Sequence, residues 1–320
     1  MNKGPSDLKV SIFHVFFGTL PNWFPYFIES CRYNTNIHFI IVTDNQGYFD
    51  EYDNIFVLRM KVSDFEHLIK IKTGINAKLT NPYKICDLRP TFGQVFNDYL
   101  SNSHYWGYCD NDLIFGNLKK FIPDELICDN DIISVYDKFL SGPFCLYKNA
   151  ETICSLYRLG YNYLSILSDE KQFAYDENII RKQYKGLNLK KTVVIGRYIL
   201  SNLKLLLRQT SFKQLRYDFQ WYYKKKMLSA DVPVDMTEIV WSQIGRITPY
   251  FDQLMFSDAQ FFREKNFNWI LKWEKGILLD MVSGKEIMAF HFMESKKRDF
   301  HVKSFPDRNK LFHITPQGIF

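Results

Sequence analysis

The sequence lacks several features that would narrow its class at once. None of its six cysteines (Cys31, Cys86, Cys109, Cys128, Cys145 and Cys154) forms a Cys-x-x-Cys pair or a zinc-type spacing. That argues against a structural zinc module or a redox dithiol motif, and the thiols read as small buried hydrophobes. No run approaches the roughly 18 apolar residues that a membrane-spanning helix requires. The opening MNKGPSDLKVSIFHVFF has no basic n-region, long apolar stretch or small-residue cleavage site, which argues against a secretory leader and for the cytoplasm. Internal repeats and low-complexity tracts are absent too, which excludes solenoids and compositionally biased tails.

What the chain does have is an ordinary folded composition. Its 320 residues are 46% hydrophobic and 17% aromatic, enough to bury a core in one large α/β domain or two average ones. The aromatic excess fills a core or builds stacking surfaces for bases and sugars, and composition does not separate the two. The formal charge of +6 is unevenly spread: Arg181 to Lys226 holds 13 Lys or Arg against the single acid Asp218, a surplus of 12 that leaves the rest at −6. A basic block in a mildly acidic body points to a phosphate-bearing partner, whether a lipid surface, a nucleic acid or a nucleotide. Within it Ile195, Ile199, Leu203 and Leu206 recur at helical spacing. Residues 181–230 are therefore read as a basic amphipathic insertion between segments 1–180 and 231–320, suited to an anionic membrane surface. Nucleic acid is the less favoured partner, because no common binding-fold pattern is present and the acidic body would repel a polyanion.

Periodicity orders the rest. Val10 to Phe17, Ile37 to Thr43 and Ile55 to Arg59 are apolar runs that predict buried strands. Ser63 and Glu66 have capping-box spacing ahead of a helix through Ile71. A helix over Thr91 to Leu100 follows, then strands over Tyr105 to Cys109, Ile132 to Tyr136 and Phe144 to Tyr147. Further strand-like runs lie at Trp269 to Trp273, Ile277 to Leu279 and Ile287 to Phe292. Strands alternating with helices predict βαβ units and a mainly parallel sheet. Ligands bind beyond the carboxyl ends of such strands, and Asp110-Asn111-Asp112 sits at one. Two carboxylates around one small residue offer hard oxygen ligands to Mg²⁺ or Mn²⁺ and leave positions open for phosphate oxygens. The same tripeptide is also what an Asx turn after a strand looks like.

The segment YWGYCDNDLIFG, Tyr105 to Gly116, resembles the metal-binding strand end of GT-A glycosyltransferases. Taken in order with FFGTLPNWFPYFIESCRYNTNIHFIIVTDN, NPYKICDLRPTFGQVF, FAYDEN and AFHFMESKK, it is similar to a family of bacterial glycosyltransferases from capsule and O-antigen gene clusters. The resemblance covers Val10 to Lys148, Phe173 to Asn178 and Met288 to Lys297, and leaves out the basic insertion. It implies a GT-A-like Rossmann-type α/β fold and transfer of a hexose, galactofuranose being one candidate, from a UDP-sugar. The implied acceptor is a surface glycan or a polyprenyl-diphosphate-linked one, and the implied location is the cytoplasm or the inner face of the membrane.

The resemblance also implies roles residue by residue. Asp110 and Asp112 match the metal pair, with Asn111 between them, and His291 matches a third ligand. Asp44 falls where the uridine or its ribose is contacted. Lys84, Asp87 and Arg89 match the segment approaching the nucleotide and sugar, and Lys296 or Lys297 falls near the diphosphate. Asp176 or Glu177 would supply the carboxylate base that an acceptor hydroxyl requires in an inverting transfer. The residues by themselves leave plainer readings open: His291 as a core histidine, Lys84 to Arg89 as a salt-bridged face, and Asp176-Glu177 as a helix N-terminus. A metal-dependent phosphohydrolase or nucleotidyltransferase would use a similar metal pair.

Overall fold

The run IHFIIVT has almost nothing polar to show to water, and such a strand is stable only inside a sheet covered on both faces. A computed structural model describes residues 8–47, 52–135, 140–160, 163–177, 248–249, 255–259, 267–304 and 311–320, and that run lies inside its main sheet. In chain order the first strands are β1 (Val10–Val15), β2 (Ile37–Thr43), β3 (Ile55–Arg59), β4 (Tyr105–Cys109), β5 (Leu113–Phe115), β6 (Ile132–Ser134), β7 (Phe144–Lys148) and β8 (Thr248–Pro249). The main sheet has the order β3-β2-β1-β4-β7-β6-β8. It is mainly parallel: only β7 runs against its neighbours, β4 and β6. The chain steps outward from β1 through β2 to β3 and then returns to the other side of β1 as β4. The carboxyl ends of β1 and β4 thus flank the topological switch point, where open α/β sheets take their ligands.

The remaining strands are β9 (Met255–Ser257), β10 (Leu271–Glu274), β11 (Ile277–Asp280), β12 (Lys285–Glu286), β13 (Ala289–His291), β14 (His301–Val302), β15 (Phe312–Thr315) and β16 (Gly318–Ile319). Six of them form a second sheet, β12-β11-β10-β15-β16-β14. Its buried Leu271, Trp273, Phe312 and Ile314 share a core with Tyr26 and Ile114. The small sheet β5-β13-β9 joins the two halves. β13 lies antiparallel to β5, with His291 opposite Leu113, and this register carries His291 to the end of β4.

Two helical expectations are corrected. The helix expected over Thr91 to Leu100 is broken into a 3₁₀ turn at Arg89–Thr91, a single α turn at Phe92–Val95 and another 3₁₀ turn at Asn97–Tyr99. Gly93, a poor helix former, interrupts the span, and it lies so close to Trp106 that an added Cβ would stand 2.4 Å from its ring. Helix α2 (Val62–Thr73), which follows α1 (Phe24–Arg32), does form, but Ser63 and Glu66 do not cap it. Lys61 N–H donates to Asp64 at 3.1 Å, and Glu66 accepts from Leu79 N–H beyond the helix. Cys31, Cys109, Cys145 and Cys154 are buried as expected, whereas Cys128 is exposed. The basic block at 181–230 lies outside the described residues. Among the described residues no helix is long and apolar enough to cross a membrane.

Candidate metal centre and its charged surroundings

β4 ends at Cys109, and the chain turns once through Asp110 to Asp112 before β5 begins. Asp110 N–H donates to Pro143 O at 3.0 Å, and Phe292 N–H donates to Asp112 O at 3.1 Å. The turn is therefore pinned from both sides. Ligand atoms of Asp110, Asp112 and His291 all lie within 4.8 Å of one another. His291 Nε2 is 3.2 Å from Asp112 Oδ2, and the ammonium of Lys296 bonds to the same oxygen. Asn111 points elsewhere, accepting at 3.5 Å from the indole N–H of Trp23.

The two carboxylates differ in electrostatic setting. Burial raises the Asp110 carboxyl, and Arg89, bonded to it, pulls only partly the other way. Burial acts upward on Asp112 as well, but His291 and Lys296 outweigh it and hold that carboxyl well below the usual carboxylate range. For His291 burial acts downward and is outweighed by Asp112, so its imidazole holds a proton to higher pH than usual.

Helix α3 (Lys84–Leu88) sorts the expected nucleotide contacts into two groups. Lys84 and Asp87, both expected near the nucleotide, are 0% exposed and bond to each other and to neighbouring backbone. Lys84 Nζ donates to Asp87 Oδ2 at 2.9 Å and to the carbonyls of Ile166 and Lys171. Asp87 in turn accepts from Phe173 N–H and Tyr175 N–H, each at 2.8 Å. The pair thus clamps the FAYDE loop, where Ala174 sits in the left-handed region with φ of 52°. Removing one partner of a buried pair strands the other. Asp87→Ala is therefore expected to cost roughly 3–5 kcal/mol of stability in urea denaturation, whereas a surface ion pair would cost little.

Arg89, just past the helix, faces the metal centre. It donates to Gly142 O at 2.6 Å and to Asp176 at 3.0 Å, and its other nitrogen bonds to Asp110. Asp176 is buried and committed to Arg89. Glu177 is only partly buried, its N–H is tied to Ala174 O, and its carboxylate lies against Gly142. Asp44 is exposed at the end of β2 and accepts from Gly18 N–H at 2.9 Å. Lys297 pairs with Glu294 at 2.8 Å on the surface, away from Asp112.

Three contributors were not legible in the sequence. His14 on β1 lies 3.1 Å from Cys109 O through Nδ1, and burial lowers its pKa to about 4. Gly142 accepts from Arg89 and leaves room for Glu177. Asp258 is fully buried and accepts from Glu294 N–H and Ser295 N–H at 2.9 and 2.7 Å, fixing the 3₁₀ turn Ser295–Lys297 that carries Lys296. Of these, only Gly142, inside the turn-forming Ser-Gly-Pro at 141–143, stands in a segment that marks itself as special.

The profile of a family of unknown function, DUF6625, matches residues 12–320. The chain belongs to DUF6625. No curated protein sequence matches it. Two solved structures of the galactosyltransferase LgtC, one in complex with donor and acceptor sugar analogs and one of an active-site mutant, are similar at 10% identity over 53% of this chain and 71% of theirs. Their TM-scores are 0.33 and 0.32. A likeness that slight carries no argument about activity, so the chemistry of this DUF6625 member rests on its own residues.

Proposed function

We propose that this DUF6625 protein is a metal-dependent glycosyltransferase, moving a hexose from a UDP-sugar to a glycan or polyprenyl-diphosphate-linked acceptor of a bacterial surface polysaccharide. Galactofuranose is a candidate sugar, and the inner membrane face a candidate location. The observation that carries the reading is the meeting of Asp110, Asp112 and His291 at the carboxyl end of β4, with ligand atoms within 4.8 Å. The donor set fits a divalent cation. It holds hard oxygens and one imidazole, which suit Mn²⁺ or Mg²⁺ better than Ca²⁺, and positive groups of the chain already crowd the same carboxylates. A divalent ion held there would serve as a Lewis acid toward the departing diphosphate.

The chain's own groups would divide the remaining work. Arg89, fixed at three acceptors, keeps Asp110 oriented. Glu177 is the better base of its pair, because Asp176 is already spent on Arg89. Burial raises the Glu177 carboxyl, with Arg89 opposing, which brings it nearer to the pH at which a base can both ionise and accept a proton. Asp44 and Lys296 would meet the nucleoside and the diphosphate.

Calorimetry of UDP binding with Mn²⁺ and with EDTA tests the reading: binding is expected only with the metal, and equal binding in EDTA would remove it. Product analysis separates transfer from hydrolysis, since free sugar or sugar phosphate without glycoside would indicate a phosphohydrolase. Ligation takes the neutral imidazole, so Mn²⁺ affinity should fall as pH is lowered from above the raised pKa of His291 to below the ordinary imidazole range and the ring takes up its proton. Affinity unchanged across that range would take His291 out of the ligand set.

A further inference from the structure

Each carboxylate of the metal centre is matched to a cation of the chain, and the two cations are held very differently. Arg89, on Asp110, is anchored by two further acceptors, Gly142 O and Asp176, and its side chain is 10% exposed. It has no reason to leave. Lys296, on Asp112, has no other side-chain hydrogen-bond partner among the described residues, and its side chain is 29% exposed. Its ammonium sits at the end of a flexible four-carbon stem, while the backbone beneath it is pinned by Asp258 through Glu294 N–H and Ser295 N–H. The backbone is pinned, and the ammonium at the end of the arm is held by Asp112 alone among the side chains described.

From this asymmetry we infer that Lys296 is an internal substitute cation, which a divalent metal must evict from Asp112 and which then becomes available to the anion that the metal brings. The inference rests on the metal reading above and adds a coupling to it. Metal and the ammonium compete for one buried oxygen, so metal alone binds against the attraction between Lys296 and Asp112. A diphosphate changes the balance, because it offers the displaced ammonium new acceptors. Cation and nucleotide then favour each other, and by linkage each raises the affinity of the other by the same factor. The device would keep the centre from holding Mn²⁺ when no nucleotide is present.

The test measures Mn²⁺ affinity by calorimetry, with and without UDP, for wild type, Lys296→Met and Lys296→Gln. Lys285→Met, an exposed position on β12, serves as a control for net charge. Circular dichroism and thermal melts confirm that each variant is folded. Wild type should bind Mn²⁺ weakly alone and roughly 5- to 150-fold more tightly with UDP, the usual span of such couplings. Both Lys296 variants should bind Mn²⁺ alone about tenfold or more tightly than wild type and lose part of the UDP enhancement, the remainder being the direct hold of the diphosphate on the ion, while Lys285→Met matches wild type. Equal Mn²⁺ affinity in wild type and both Lys296 variants would overturn the competition, and an undiminished UDP enhancement in them would overturn the coupling. Failure of the metal reading itself looks different: no form would bind Mn²⁺ with or without UDP.

Discussion

Asp112→Asn is expected to abolish Mn²⁺-dependent UDP binding, weakening it by upwards of roughly 100-fold, since loss of partners outside the ligand shell alone commonly costs about 10- to 100-fold in metal affinity. The expectation follows from how much converges on one side chain. Asp112 Oδ2 faces both His291 and Lys296, and the residue is only 2% exposed. The amide keeps the shape and one oxygen but removes the charge. Alanine is the poorer test, because Asp112 is not a carboxylate at an open cleft: it would also take away the oxygen that His291 and Lys296 bond and leave a buried gap beside them. Asp110→Asn should weaken binding as well, because it removes the charge of a second ligand and the counter-charge that holds Arg89 at the centre. His291→Ala should weaken Mn²⁺ less than either, since two carboxylates and the diphosphate remain. Calorimetry of UDP with Mn²⁺ on the folded variants reads all three. Wild-type affinity in Asp112→Asn would reduce Asp110-Asn111-Asp112 to a turn.

The strands of the main sheet could be read from the sequence because their apolar runs have one physical meaning. IHFIIVT and YWGYC can be stable only where both faces are covered, and both became central strands. Asp110 and Asp112 were legible for the same reason, since they follow such a strand directly. His291 was visible only through resemblance, because the pairing of β13 with β5 that brings it across 179 residues leaves no local trace. The segment Lys84 to Arg89 shows the limit most clearly. Lys84 and Asp87 are three apart on one helix face, so both turn inward to hold the FAYDE loop, while Arg89, past the helix end, turns to Asp110 and Asp176. A buried structural pair and a ligand contact use the same residue types at the same spacing, and burial alone separates them. His14 and Asp258 were not legible because each acts on backbone that only the folded chain brings near.

The second large effect is expected at Glu177, where Glu177→Gln should lower turnover roughly 10²- to 10⁴-fold while Mn²⁺-dependent UDP binding stays close to wild type. Among the described residues no hydrogen bond joins Glu177 to Asp110, Asp112 or His291, and the amide keeps the shape of the side chain, so the three ligands should stay in place. Its neighbour cannot substitute for it, because Asp176 is buried on Arg89; Asp176→Asn should instead loosen Arg89 and weaken metal and nucleotide binding together. A third variant tests position and not charge. An added Cβ at Gly142 would stand 1.7 Å from Glu177 Oε1, so Gly142→Ala must displace the carboxylate while leaving it ionisable. What moves is the end of a flexible side chain, so Gly142→Ala should fold nearly as well as wild type and still lose turnover. The pH profile supplies the sign. A base works when ionised, so activity is lost as pH falls through its pKa. Burial raises that pKa, so the acidic limb should lie above the ordinary carboxylate range and disappear in the residual activity of Glu177→Gln. Turnover unchanged in both Glu177→Gln and Gly142→Ala would place the base elsewhere or indicate transfer with retention.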